Sequence, residues 1–354
     1  MHSSATEQLQ PVCDRDPIDL DAVTAFLGRH LADPPRSLAA ERFGGGASNY
    51  TFLLSEGSRE WVLRRPPVGA LLPTAHDMVR EHRVLAALAD TNVPVAKPLA
   101  LCTDVGVIGA PFYVMERCRG FLVRDQVPPE LGVAPERRHA AGLSMIDALA
   151  KLHAVDWNAV GLSEGFGRPH GYLERQLRRW REQWLRSKTR EIPEIDQLEG
   201  WLTERVPPSG PSTIVHGDFR LENCMLDPQT LDVVAIFDWE MSTLGDPLAD
   251  LGYALAYWPS SDDPPVWREA VPSVSTRPGF ASRDELIERY ASKTGRCVDT
   301  IRFYQAFALY KLSIIAEGIH RRVSDGQIHL PHRERITERV AQIARAGMAI
   351  AHLG

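Results

Sequence analysis

The chain has 354 residues, 44% hydrophobic and 24% charged, which are the proportions of an ordinary globular protein and not of a disordered, collagen-like or coiled-coil chain. Its 40 Lys and Arg against 46 Asp and Glu give a net charge of −6, so neither nucleic acid nor an anionic membrane surface is expected as a partner. The five cysteines are scattered and form no CxxC pair. With a polar N-terminus and no run approaching 18 apolar residues, this reads as a reduced, cytoplasmic protein without a zinc site, disulfide framework or membrane span.

At this length two domains or one large bilobal unit are expected. Residues 1–18 hold no periodic pattern and read as loose. Leu20, Val23, Phe26, Leu27 and Leu31 have helical spacing behind an Asp cap, and Pro34-Pro35 stops that helix. Strands follow at 37–43, 50–55 and 60–65. The first two are joined by the glycine-rich 44–49 and the last two by a Glu56-Gly57-Ser58 turn. A helix over 74–88 and strands at 98–103 and 111–116 complete a sheet-rich first third. The remainder reads as mainly helical, with helices at 139–155, 173–187, 197–205, 247–257, 283–294, 300–322 and 332–352. Short strands interrupt it only at 213–215, 224–226 and 233–237. The division is thus an N-terminal segment and helix at 1–35, a sheet lobe at 36–118 and a helical lobe at 119–354. Five prolines fall within 259–280, which has no periodicity and reads as a long binding loop.

The chemistry concentrates in one stretch. His216-Gly217-Asp218-Phe219-Arg220-Leu221-Glu222-Asn223 follows a strand, and after a short hairpin comes Ile236-Phe237-Asp238-Trp239-Glu240. Magnesium prefers hard oxygen ligands and usually takes only one or two from protein, a role that suits Asn223 and Asp238. Asp218, five residues before Asn223, can lie beside the ion without binding it and accept a hydroxyl proton. A lone Asp or Asn is ordinarily a turn residue or a cap. The combination of HGD-x4-N with a strand-ending Asp is the phosphotransferase pattern seen in protein-kinase-like enzymes.

With these motifs and Gly245-Asp246-Pro247-Leu248-Ala249-Asp250-Leu251, the chain resembles the aminoglycoside phosphotransferase family. GGGASNYTFLL, WVLRRPP, LLPTAHDMVREHRVLAAL, VIGAPFYVMERCRG and FYQAFALYKLSIIAEGIHRR liken it to the branch related to the kinase-like domain at the front of some acyl-CoA dehydrogenase proteins. The likeness spans about residues 36–325. It implies an α+β, bilobal protein-kinase-like fold with a small antiparallel-sheet N-lobe and a larger, mainly helical C-lobe, using ATP and Mg2+. It implies Asp218 as the catalytic aspartate and Asn223 and Asp238 as magnesium ligands. His216 would orient the loop, Asp250 would hold its backbone, and Asp246 would brace the same turn. Gly44, Gly45, Gly46 and Ser48 would cover the ATP phosphates, since glycine lets backbone N–H groups approach an anion closely. Arg64 stands where kinases place the phosphate-binding lysine, with Glu81 as its carboxylate partner, and the backbone at Glu116 and Cys118 would meet adenine.

Arginine in place of lysine is a departure, and Arg65 adjoins it. Strand alternation sends the two to opposite faces, Arg64 with Val62 and Arg65 with Leu63, and the Val62 side fits the cleft. A guanidinium grips phosphate oxygens well, so the exchange does not imply inactivity. Glu81 taken alone reads equally as a solvated helix charge, GGGASN as a hairpin turn, and His153 as a satisfied core histidine. The basic stretch 175–190 reads as a solvated helix face, with an anionic-substrate site as the alternative. Residues 251–354 hold 14 Lys and Arg against 11 Asp and Glu, which does not suit a trap for a polycation. The expected acceptor is therefore a neutral or anionic hydroxyl-bearing small molecule, with an aminoglycoside as the alternative. A nucleotide-binding pseudo-kinase acting as scaffold or sensor is the competing class, and the intact Asp218, Asn223 and Asp238 set favours the enzyme. The sequence does not indicate an oligomeric state.

Overall fold

The computed structural model describes residues 9–12, 18–44, 49–67, 77–327 and 333–352. The N-terminal half-molecule is built on one antiparallel sheet of six strands in the order β1-β2-β3-β4-β6-β5: β1 Leu9–Pro11, β2 Ala39–Phe43, β3 Tyr50–Glu56, β4 Arg59–Arg65, β5 Pro98–Cys102 and β6 Phe112–Glu116. β4 lies inside the sheet, pairing Arg64 with Thr51 on β3 and with Tyr113 on β6. Alternation along β4 then decides what each side chain meets. Trp61 and Leu63 join Phe52, Leu54 and Val114 in a core closed by helix α1 (Leu20–Leu27) through Val23, Phe26 and Leu27. Val62 and Tyr113 face the other way, toward helix α2 (Met78–Leu88) and the main core. Arg65 is buried on the α1 side, 5.7 Å from both the Tyr50 and Phe52 ring centres.

Both helices of this lobe begin on an Asp cap. Asp19 accepts the Ala22 N–H and Asp77 the Arg80 N–H, each at 2.9 Å, satisfying donors that have no partner inside the helix. β1 lies within the stretch whose sequence shows no pattern, and it pairs Leu9 with Phe43 at the sheet edge. A three-residue edge strand is too short to carry a readable alternation.

The C-terminal part is helical: α3 Pro135–His153, α4 Tyr172–Ser187, α5 Pro193–Glu204, α6 Pro247–Ala256, α7 Pro265–Ala270, α8 Arg283–Thr294, α9 Ile301–Ser324 and α10 Arg333–Ala351. Two small antiparallel ribbons carry the chemistry-bearing turns, β7 (Thr213–Val215) with β10 (Thr243–Gly245) and β8 (Cys224–Leu226) with β9 (Val233–Ile236). Among the described residues the expected α+β bilobal architecture is present. The expected long loop at 259–280 is corrected in part: it contains α7 and a 3-10 turn at Val274–Thr276. Pro265 occupies the first helical position, where its missing N–H is no loss.

The halves meet along α2. Arg80 donates to the Phe166 carbonyl at 2.5 Å and the Ser242 carbonyl at 2.7 Å, and its guanidinium lies 4.5 Å from the Phe166 ring centre. Arg83 reaches the Glu164 and Gly161 carbonyls at 2.5 and 3.2 Å.

Candidate functional site

The turn after β7 holds His216, Gly217 and Asp218, and the backbone N–H groups of all three are engaged. Asp250, in the first turn of α6, accepts the N–H of His216 at 2.6 Å and of Gly217 at 2.8 Å. The Asp218 N–H lies 3.2 Å from His216 Nδ1, while His216 Nε2 is 2.8 Å from the Phe237 carbonyl. This pair of contacts assigns the neutral tautomer protonated at Nε2 and ties the Asp218 turn to the turn that bears Asp238. Gly217 has φ +84°, and a Cβ there would stand 2.7 Å from the Met241 carbonyl oxygen, so glycine is required.

Asp250 is itself held from behind. His153 Nε2 is 3.3 Å from its carboxylate and His153 Nδ1 is 2.7 Å from the Tyr290 hydroxyl. Burial pushes the Asp250 carboxyl upward, but the His153 hydrogen bond and the facing N–H groups outweigh it and keep it below the ordinary carboxylate range. Burial drives His153 the other way, below its usual value. Asp246 caps α6 through the Leu248 N–H at 3.0 Å and accepts the Tyr304 hydroxyl at 2.7 Å.

Asn223 ends a one-turn 3-10 helix and donates through Nδ2 to the Asp218 carbonyl at 2.8 Å and the Asp218 carboxylate at 3.1 Å. Its amide nitrogen is thereby committed to Asp218, which leaves the amide oxygen as the atom that could hold a cation. Asp238 follows β9 with φ +70°, a conformation that Asp tolerates better than most residues and that aims its carboxylate back across the cleft. There Arg64 meets it, with Nη2 to Oδ1 at 2.9 Å.

Arg64 also pairs with Glu81 on α2, Nε to Oε2 at 3.0 Å. Glu81 is 1% exposed and takes two further donors, the Tyr113 hydroxyl at 2.9 Å and the Asn49 amide at 3.2 Å. Burial still raises its carboxyl above the usual range, with Arg64 and Tyr113 pulling the other way. Carboxylate oxygens of Glu81, Asp238 and Glu240 lie within 4.8 Å of one another. Burial first, and the two neighbouring carboxylates next, push Glu240 up to about 7. This oxygen-only set, with the Asn223 amide nearby, has the donor chemistry of a magnesium site.

The remaining sequence expectations fall as follows. Gly44 is the turn residue directly after β2, whereas Gly45, Gly46 and Ser48 lie outside the described residues. Glu116 ends β6 and gives its N–H to the Lys97 carbonyl at 2.9 Å. Cys118 lies two residues on, in the crossing between lobes, with burial and then Glu116 pushing its thiol up to about 11. Sequence reasoning passed over Asn49, the Tyr113 hydroxyl, Glu240, Tyr253 and Lys311. Tyr253 on α6 faces Asp218, with burial and then the Asp218 charge pushing its phenol up, and Arg220 stands 3.8 Å from the Asp218 carboxylate while stacking on Tyr257 at 4.8 Å.

Comparison with known proteins gives the family and the fold. A family model described as the phosphotransferase enzyme family matches residues 39–286. The chain belongs to this family. Its fold is shared across 95% of the chain with a putative aminoglycoside phosphotransferase from Ralstonia eutropha, at 35% identity, TM-score 0.80 and 98% coverage of that protein. An aminoglycoside phosphotransferase APH(4)-Ia in ternary complex with ADP and hygromycin B shares the fold alone, at 13% identity and TM-score 0.61, covering 95% of this chain and 99% of that one. Among curated proteins, this phosphotransferase-family chain is 37% identical over 345 residues to mouse acyl-CoA dehydrogenase family member 10, covering 95% of the chain. It is 35% identical over 335 residues to rat acyl-CoA dehydrogenase family member 11, covering 91%. It spans only 32% and 42% of the length of those two relatives.

Proposed function

We propose that this member of the phosphotransferase family moves the γ-phosphoryl group of Mg-ATP to a hydroxyl group of a small molecule. The observation that carries the reading is the closed set across the cleft: Arg64 bonded at once to Glu81 and Asp238, with Asp218 and Asn223 locked to each other on the facing turn. In this reading Arg64 and the 44–48 segment hold the phosphates, and Asn223 Oδ1 with Asp238 holds the magnesium ion. When bound, the ion neutralises phosphate charge and draws the transferring group into line. Adenine falls to the Glu116 carbonyl and the Cys118 N–H, because the Glu116 N–H is already given to Lys97. Asp218 accepts the hydroxyl proton of the acceptor, and its turn is fixed beforehand by Asp250 and His216, so little reorganisation is left for the reactive step.

The acceptor side is assigned to α9 and the 259–280 segment. Ser273 and Val274 share a small cleft with Arg220, Leu221, Glu222 and Tyr257, and Lys311 reaches Gly217. Two cations beside Asp218, Arg220 and Lys311, favour a neutral or anionic acceptor over a polycation. The test begins with a thermal-shift titration with ATP, with and without Mg2+, because a ligand of the native state raises apparent stability by mass action. A shift that grows with Mg2+ is expected, and Asp218→Asn should keep it while losing turnover by roughly 100-fold or more. No shift with any nucleotide refutes the reading and revives a scaffold role. Efficient turnover of an aminoglycoside panel refutes the acceptor class.

A further inference from the structure

We propose that Lys311 is a positioning residue for Asp218, fixing the peptide unit that precedes the catalytic carboxylate and setting a cation against it; this rests on the phosphotransferase reading above. Lys311 lies in the middle of α9, in an otherwise apolar stretch, and is 8% exposed. Its ammonium donates to the Gly217 carbonyl at 2.5 Å. The same peptide unit offers its N–H, that of Asp218, to His216 Nδ1 at 3.2 Å. The plane from which the Asp218 side chain departs is therefore gripped at both ends, by α9 on one side and by the Asp238 turn, through His216, on the other. Because Gly217 sits at φ +84°, this plane would otherwise have the softest rotation in the turn.

The surroundings explain why the grip is cationic. The ammonium stands 4.3 Å from the ring centre of Tyr253, and the Asp218 carboxylate acts on Tyr253 in turn. Asp218 and Asp250 attract it from the catalytic turn and from α6, Arg179 on α4 and Arg220 oppose it, and Trp180 lies 5.7 Å away. Asp218 in turn faces Arg220, Asn223, Tyr253 and Tyr257, with Glu222 and Glu240 at longer range. Keeping an ammonium in this setting is costly, since burial lowers Lys311 to about 8. A neutral donor would serve as a brace for a carbonyl. A charged one also attracts the Asp218 carboxylate and so fixes its direction.

The test uses the full chain, with Mg-ATP binding by calorimetry and Mg-ATP hydrolysis, water serving as acceptor. Lys311→Met should lower the hydrolysis kcat roughly 10- to 100-fold while leaving the Mg-ATP Kd within about twofold. This split, with kcat lost and Mg-ATP binding kept, is one that a purely structural role would not cause. Lys311→Arg should restore part of kcat. The wild type should lose rate as pH rises through about 8, where Lys311 gives up its proton, and Lys311→Arg should not. Should the Met variant fail to fold, that alkaline limb decides, and its persistence in Lys311→Arg overturns the proposal. An unchanged kcat and pH–rate profile in Lys311→Met, with a wild type whose hydrolysis requires Asp218, overturns it alone. A wild type that neither binds nor hydrolyses Mg-ATP overturns the phosphotransferase reading beneath it.

Discussion

Arg64→Met isolates the energetics of the phosphate-side pair. Glu81 is essentially buried, so removing its guanidinium leaves a carboxylate out of water without its main compensation. Breaking such a pair from one side costs about 3–5 kcal/mol. Tyr113 and Asn49 still donate to Glu81, at 2.9 and 3.2 Å, which places the expected loss near the lower end, about 3 kcal/mol. The loss must depend on pH. Burial already raises the Glu81 carboxyl, and removing Arg64 raises it further. A raised folded-state carboxyl penalises the fold above its pKa and ceases to do so as pH falls through it. The deficit of Arg64→Met should therefore be largest near pH 8 and shrink toward pH 5. Urea denaturation at several pH values measures it, with Glu81→Gln and the double variant closing a cycle. Adding Glu81→Gln to Arg64→Met should recover at least about 1 kcal/mol at pH 8. A deficit below about 1 kcal/mol, constant across pH, would show that water reaches this pair and would refute the argument.

Two further outcomes follow from the facing turns. Asp238→Ala removes a proposed magnesium ligand and the Arg64 partner together, so Mg-ATP affinity should fall at least about tenfold while Mg-free nucleotide binding changes little; calorimetry with and without Mg2+ separates the two. Gly217→Ala forces a Cβ against the Met241 carbonyl at positive φ, with an expected stability loss of about 1–3 kcal/mol and a fall in kcat larger than any change in Mg-ATP Kd, read by denaturation and hydrolysis.

What the sequence makes legible here depends on chain distance. Asp218 and Asn223 lie within one turn and Asp238 one hairpin later, so local spacing carries them. Two-residue alternation is enough to choose Arg64 over Arg65, and the structure places Arg64 on Glu81 and Asp238 as that parity requires. Lys311 is different. Its partner carbonyl is 94 residues away, and within an apolar helix a single lysine reads as an interruption of pattern. The Tyr113 hydroxyl and the Asn49 amide are hidden for the same reason, since each matters only through Glu81, 32 residues distant from both. The prolines of 259–280 mislead in another way: proline excludes a helix interior but favours a helix start, and pattern alone does not separate the two.

The bonds from Arg80 and Arg83 bear on how the molecule could be switched. In regulated protein kinases the helix bearing the partner of the phosphate-gripping residue is a mobile part, and its placement sets activity. Here that helix is bolted to four backbone carbonyls of the opposite lobe, those of Phe166, Ser242, Gly161 and Glu164. Swinging Glu81 away from Arg64 would first have to break charge-assisted bonds worth about 1.5–3 kcal/mol each. The helix is thus a fixed beam and not a dial, and throughput in such a molecule would be governed by what enters the cleft.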